Sequence, residues 1–223
     1  MKNITTLILI LLLSVAVFSK GAETSALVYK MKGKVSVTQP GKAESAAKAG
    51  ELLLRGTKIQ TGEDGLALIK LLDDNSMIRV AALSVLTLNA KGDKESEGKK
   101  GKVSLGSVLF DVQKKMNSSI FQVETPTSVA TVKGTRFWII VKNDSICITT
   151  TLEGSVEVEH SFTKEKVLVN AGESGRIVGK KLTKGASEKG DLPGGTEEKR
   201  LKVKFKDESG ETRDLNIDYM ETP

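Results

Sequence analysis

The stretch TPTSVATVKGTRFWI, residues 125–139, carries no acid–base pair, no metal ligand and no phosphate-binding loop, yet its composition is strongly biased. It holds five Thr or Ser residues, β-branched residues and one internal glycine. Pro126 lacks an N–H and favours an extended residue before it, so Thr125-Pro126 ends one strand. Val129 to Val132 supplies small and β-branched side chains suited to a strand beneath another layer. Gly134 marks a position where a side chain would clash or where φ is positive. Phe137 then opens a buried strand, and Arg136 and Trp138 point the opposite way. An aromatic with a neighbouring arginine on an outer face is the make-up of an interface anchor, so Arg136 and Trp138 are the candidate partner contacts here.

Working outward, period-two alternation dominates and no long segment has helical periodicity. Leu27–Tyr29, Val35–Val37 and Thr57–Thr61 read as strands, and Gly62-Glu63-Asp64-Gly65 as a tight turn joining two strands of a hairpin. In the next strand Leu66, Leu68 and either Leu71 or Leu72 are expected to face the core. Asp73-Asp74-Asn75-Ser76 makes a second turn before a strand at Met77–Val80, and Leu83–Leu88 forms another. Residues 91–102 form a charged, glycine-punctuated loop with nothing to bury. Strands follow near 103–105, 108–112, 121–123, 137–141, 146–152, 156–158, 167–169 and 177–178, the pair 137–141 and 146–152 being central because both faces are apolar. Gly33-Lys-Val-Ser-Val and Gly154-Ser-Val-Glu-Val echo each other, each leading to an Ala-Gly-Glu, with Gly101 opening a third such strand. The fold expected is all-β: a two-layer curled sheet over 22–179, either a sandwich or a short solenoid-like coil.

Residues 1–21 place Lys2 before an apolar run from Leu7 to Phe18 and small residues at Ser19 and Gly21, the layout of a signal peptide. The apolar run is shorter than the ~18 residues a spanning helix needs, so export follows, to the periplasm or beyond, and not membrane integration. Loss of Lys2 and Lys20 would lower the formal charge from +6 to +4. Export and 4% aromatic residues argue against nucleic acid. The lysines read as a solvated surface, with anionic envelope polymers as the alternative partner. Cys147 is the single cysteine, so no internal disulfide can form, and its apolar neighbours Ile146 and Ile148 place it in the core.

From 180 to 199 the chain turns to Gly, Ser, Thr, Lys and Glu and reads as a flexible linker. In 200–223, Leu201, Val203 and Phe205 alternate with lysines, and Leu215, Ile217 and Tyr219 alternate with Asn216 and Asp218. This is an amphipathic β-hairpin, marginal in water by itself, so it must dock on the main sheet or on a partner, and Leu201, Val203 and Phe205 join the candidate contacts.

Catalytic chemistry finds little footing. His160 is the single histidine and is expected on the surface at a strand end. A metal site needs several ligands of suitable type and a Ser/His/Asp enzyme needs its nucleophile elbow, and neither pattern occurs. The pairs Glu63/Asp64 and Asp73/Asp74 sit in turn sequences, where acids bond the local backbone. The expectation is a protein without enzymatic activity and without cofactor or metal.

Three segments, in order along 27–178, resemble the FecR domain family. They are Ile59–Leu68 with Leu72–Arg79, containing Gly62, Gly65, Asp73 and Asp74; Val123–Phe137, containing Thr125, Pro126, Gly134 and Phe137; and Leu152–Val158 with Val169–Glu173, containing Gly154. Asn75 stands where glycine is common in the family, and Thr149 and Thr151 where valines are usual. The resemblance implies an extracytoplasmic β-domain used in signalling or protein–protein contact, with an envelope protein as the partner. The regulators that named the family look like single-pass proteins with a cytoplasmic sigma-factor-binding segment. Six residues precede Leu7 here, so that role is not carried over.

Overall fold

The computed structural model describes residues 24–72, 75–88, 99–113, 120–193, 198–206 and 212–220, with side chains described only up to residue 193 and not at 99–100. Among these there is no α-helix. The expected signal peptide, Asp73 and Asp74, and the side chains of Leu201, Val203 and Phe205 lie outside them.

Two antiparallel layers face each other. One, layer A, orders its strands as β4 (Leu52–Leu54), β1 (Thr24–Lys32), β6 (Leu66–Leu71), β7 (Met77–Val80), the second half of β9 (Lys99–Asp111), β12 (Arg136–Asn143), β13 (Ile146–Glu153), β16 (Glu173–Val178) and β17 (Lys181–Ala186). Layer B runs β3 (Ser45–Ala46), β2 (Val35–Thr38), β5 (Lys58–Thr61), β8 (Val85–Leu88), the first half of β9, β10 (Phe121–Glu124), β11 (Ser128–Val132), β14 (Ser155–His160) and β15 (Lys166–Asn170). The pairing of β9 with β10 is parallel. Strand β9 belongs to both layers: Leu105 pairs with Val85 in layer B, and Gly106, at φ +86°, pairs with Val141 in layer A.

The all-β expectation holds, and the choice between sandwich and coil resolves into a combination. The chain passes repeatedly between layers through arches, so neighbours in each layer come from successive passes. Gly33 (φ +64°) leads β1 of layer A into β2 of layer B, and Gly154 (φ +79°) leads β13 into β14 in the same sense. That shared task accounts for the sequence echo; Gly101 lies inside β9 and performs none of it. Gly134 (φ +73°) makes the return arch from β11 to β12. The Gly62–Gly65 turn is likewise an arch, from β5 to β6, and not the hairpin its turn chemistry suggested; an added Cβ at Gly65 would lie 2.4 Å from the Lys34 carbonyl oxygen.

The core fills the space between layers, centred on Phe110, Phe121 and Phe137, with the Phe110 and Phe137 rings stacked at 5.3 Å between centroids. In β6 the core-facing residues are Ala67, Ile69 and Leu71, so Leu71 faces the core as expected, while Leu66 and Leu68 are half-buried on the outside, one residue out of phase. The expected linker at 180–199 is corrected over its first part. Lys181–Ala186 is the edge strand β17, paired along its length with β16 and anchored by buried Leu182, and a 3-10 turn follows at Lys189–Asp191. Glu198–Lys206 (β18) and Thr212–Met220 (β19) pair antiparallel, with Leu201 opposite Ile217 and Val203 opposite Leu215. The alternation in sequence thus continues into a registered hairpin.

Candidate interaction surface

The stretch 125–139 folds as one hairpin and one arch. Thr125 Oγ1 accepts hydrogen bonds from the backbone N–H of Ser128 (2.9 Å) and Thr127 (3.3 Å), and Thr125 N–H donates to the Ser128 carbonyl at 2.8 Å. Side-chain oxygens commonly organise turns in this way. Half-buried Pro126 sits at the tip. Across the core, Ser128 Oγ lies 3.6 Å from Cys147 Sγ, joining layer B to layer A. Cys147 is buried, as expected, and burial pushes its thiol pKa up although surrounding hydroxyls oppose the rise.

His160 is a correction: it is fully buried, not a surface residue. Its Nδ1 accepts from the N–H of Phe162 (3.1 Å) and Thr163 (3.4 Å), which leaves Nε2 to donate to the Gly179 carbonyl at 3.0 Å. The ring is a structural clamp on the turn after β14. Glu63 and Asp64 serve their arch, with Asp64 Oδ1 accepting from Lys34 N–H at 3.1 Å. Among the described residues no group of three or more His, Cys, Asp or Glu could hold a metal ion, and no helix is long and apolar enough to cross a membrane.

What the layers do build is a broad outer face on layer A. One row crosses six strands by direct register: Leu68, Arg79, Leu109, Trp138, Thr150 and Ser174. The next row is Met77, Asp111, Arg136 and Glu153, and on the other side stand Ile140, Ile148 and Arg176. Arg136 and Trp138 do point away from Phe137, but their environments differ. Trp138 is 1% exposed, with Leu109 at 6%, Ile140 at 7% and Ile148 at 6%, so this half of the face is covered. Trp138 is therefore not an exposed anchor, which corrects that expectation.

Leu68, Met77, Arg79, Leu109, Asp111 and Arg136 line an open depression of about 340 Å³. Arg136 reaches exposed Glu153 at 3.6 Å. Burial, and then the charge of Arg136, lower the Arg79 pKa. The depression thus sets two arginines and Asp111 beside apolar Leu68, Met77 and Leu109. Sequence reading found Arg136; it missed Arg79, Leu68 and Met77, whose signal was the register across β6 and β7.

Comparison with known proteins agrees with this architecture. The family model described as FecR protein matches residues 57–157, so the resemblance to the FecR domain family holds over that span. No curated protein matches the chain. Two crystal structures, at 2.50 and 1.65 Å, each described as a "putative anti-sigma factor" from Parabacteroides distasonis, are similar in fold at 16% sequence identity and a TM-score of 0.50. In both cases the likeness covers 59% of this chain and 60% of the other. It therefore spans little more than half of either molecule, and at that identity it speaks to fold alone.

Proposed function

We propose that this chain is an exported signalling module of the FecR type that binds another envelope protein and performs no catalysis. The carrying observation is the half-buried portion of the layer A outer face, where Leu68 and Met77, over buried Leu109, join Arg79, Arg136 and Asp111 in one depression. Apolar residues with arginine inside a polar rim are the usual composition of a protein interface. The match to the FecR family model supports a signalling role, and the described "putative anti-sigma factor" structures with the same fold are consistent with it. Export rests on the composition of residues 1–21, and the polymer alternative rests on the sequence of 91–102 alone.

The test is a photo-reactive amino acid placed in the cells' own copy at Met77, and separately at Leu168 on the edge strand β15. A discrete protein adduct at Met77 that disappears with Arg136→Glu, and is absent at Leu168, is the expected result. Equal labelling at both positions, or no adduct at either, would overturn the assignment of this face.

A further inference from the structure

Trp138, Leu109, Ile140 and Ile148 lie on the face of layer A turned away from the core, and are nonetheless buried. Among the described residues the segment 187–193 reaches this face. Its course is fixed by Asp191, whose carboxylate pairs with Arg176 and whose backbone carbonyl accepts from Thr150 Oγ1 at 2.9 Å. Thr150 is the direct register partner of Trp138. The chain beyond β17 therefore turns back over the sheet and arrives one strand away from the tryptophan.

We infer that the C-terminal hairpin, β18 with β19, packs on the Trp138 half of this outer face of its own chain as a third layer. Three observations favour this occupant. From Pro193 to the first residue of β18 there are five backbone steps, which can span about 17 Å at most. Strands are spaced by ~4.8 Å, so that reach covers β13, β12 and β9, the strands that carry Ile148, Trp138 and Leu109. Next, the register puts Leu201 opposite Ile217 and Val203 opposite Leu215, flanked by Lys199 opposite Tyr219 and Phe205 opposite Arg213, so these positions form a row that is apolar at its centre with a cation at each end, and Arg200, Lys202, Lys204, Asp214 and Asp218 alternate with them. Finally, a two-stranded hairpin is marginal in water unless an apolar surface covers it, and sheets stack face to face at about 10 Å. The depression at Leu68 and Met77 lies further across the sheet and shares only Leu109 with the capped half, so the two sites adjoin.

Trp138 is the chain's single tryptophan, and its fluorescence reads the cover directly. In the full chain, Val203→Asp should red-shift the emission and raise acrylamide quenching several-fold. Lys202→Asp, one position along on the opposite face, should leave both unchanged. Cys147 must remain unreactive to a thiol reagent in each variant, which shows the core intact. The unaltered chain provides a measurement free of any folding defect: nuclear Overhauser contacts between the Trp138 indole and residues 201–219. Their presence in a monomer supports the cap. Their absence, quenching unchanged in Val203→Asp, or tryptophan shielding lost on dilution of a dimer would each overturn it, the last by showing that a second copy is the occupant.

Discussion

Asp191 takes Arg176 Nε on one carboxylate oxygen at 2.8 Å and Arg176 Nη2 on the other, so a turn beyond the last strand of layer A is clamped to the strand next to its edge. The Glu188 N–H adds a third bond at 2.8 Å, and the turn itself is 3-10. Burial works against the Asp191 charge, but the hydrogen bonds from Arg176, the Glu188 backbone and Ser174 outweigh it and hold the carboxyl pKa below its ordinary value.

The pH dependence follows from that direction. A carboxyl whose folded pKa lies below its unfolded value stabilises fully above the unfolded value, and the contribution fades as pH falls through the folded one. Asp191→Asn should lower stability by about 1–3 kcal/mol near neutral pH, less than for a wholly buried pair because Arg176 is partly exposed. The gap from wild type should stay constant from about pH 8 to pH 5 and narrow below about pH 4, near the ordinary aspartate range. Urea unfolding across this range decides it; a gap independent of pH down to acid would show that the carboxylate charge contributes nothing.

Gly106 is the point where β9 changes layer, and its substitution should cost far more than that of another glycine with the same φ sign. A Cβ there would sit 2.3 Å from Ser84 Oγ and 2.5 Å from Ser84 Cα, while at Gly172 (φ +81°) nothing lies within 4 Å. Left-handed backbone alone costs an ordinary residue about 1–2 kcal/mol. Gly172→Ala should therefore lose about that much, and Gly106→Ala at least ~3 kcal/mol or its ability to fold. Comparable melting temperatures for the two variants would contradict the close approach.

Much of this arrangement is legible in the chain itself, and the failures have physical causes. Alternation located most strands and glycine chemistry most bends between them, since both follow from local sterics, but turn chemistry could not tell the Gly62–Gly65 arch from a hairpin. Phase was harder in Leu66–Leu71, where apolar residues occupy both parities and only pairing with β1 and β7 selects Ala67, Ile69 and Leu71 for the core. Lys181–Ala186 looked like linker because an edge strand with a single buried residue, Leu182, carries almost no apolar signal. Trp138 had the right parity, but its burial on an outer face is a tertiary property, set where distant chain such as Asp191 returns to the neighbouring strand at Thr150, which no local pattern contains. The depression at Leu68 and Met77 is a register product of β6, β7, β9 and β12 and has no sequence motif.

His160 offers a direct test of structural against functional use. Its ring satisfies two N–H groups and one carbonyl while fully buried. His160→Ala would strip these partners and leave a cavity, so the expected loss is about 2–4 kcal/mol. His160→Gln, able to keep part of the bonding, should recover some of it. Thermal unfolding of both variants measures the difference; loss under 0.5 kcal/mol in the alanine variant, about the scale of a surface change, would show that the clamp does not matter.

Thr149 points the other way, toward a gain. Its hydroxyl is buried without a hydrogen-bond partner, on a strand whose cross-strand neighbour is Ile139. In the unfolded chain that hydroxyl bonds to water, and in the folded chain it acts on the Cys147 thiol, whose pKa burial raises and the Thr149 hydroxyl helps to oppose. A thiol is a weak acceptor and compensates little. Thr149→Val keeps the shape and removes the desolvation cost, so it should leave stability unchanged or raise it by about 1 kcal/mol. In both proteins Cys147 should react with a thiol reagent only at the rate of unfolding, because it is buried in each. A destabilisation of more than 1 kcal/mol, together with faster thiol labelling, would instead mean that the Thr149 hydroxyl and the Cys147 sulfur hold each other in place.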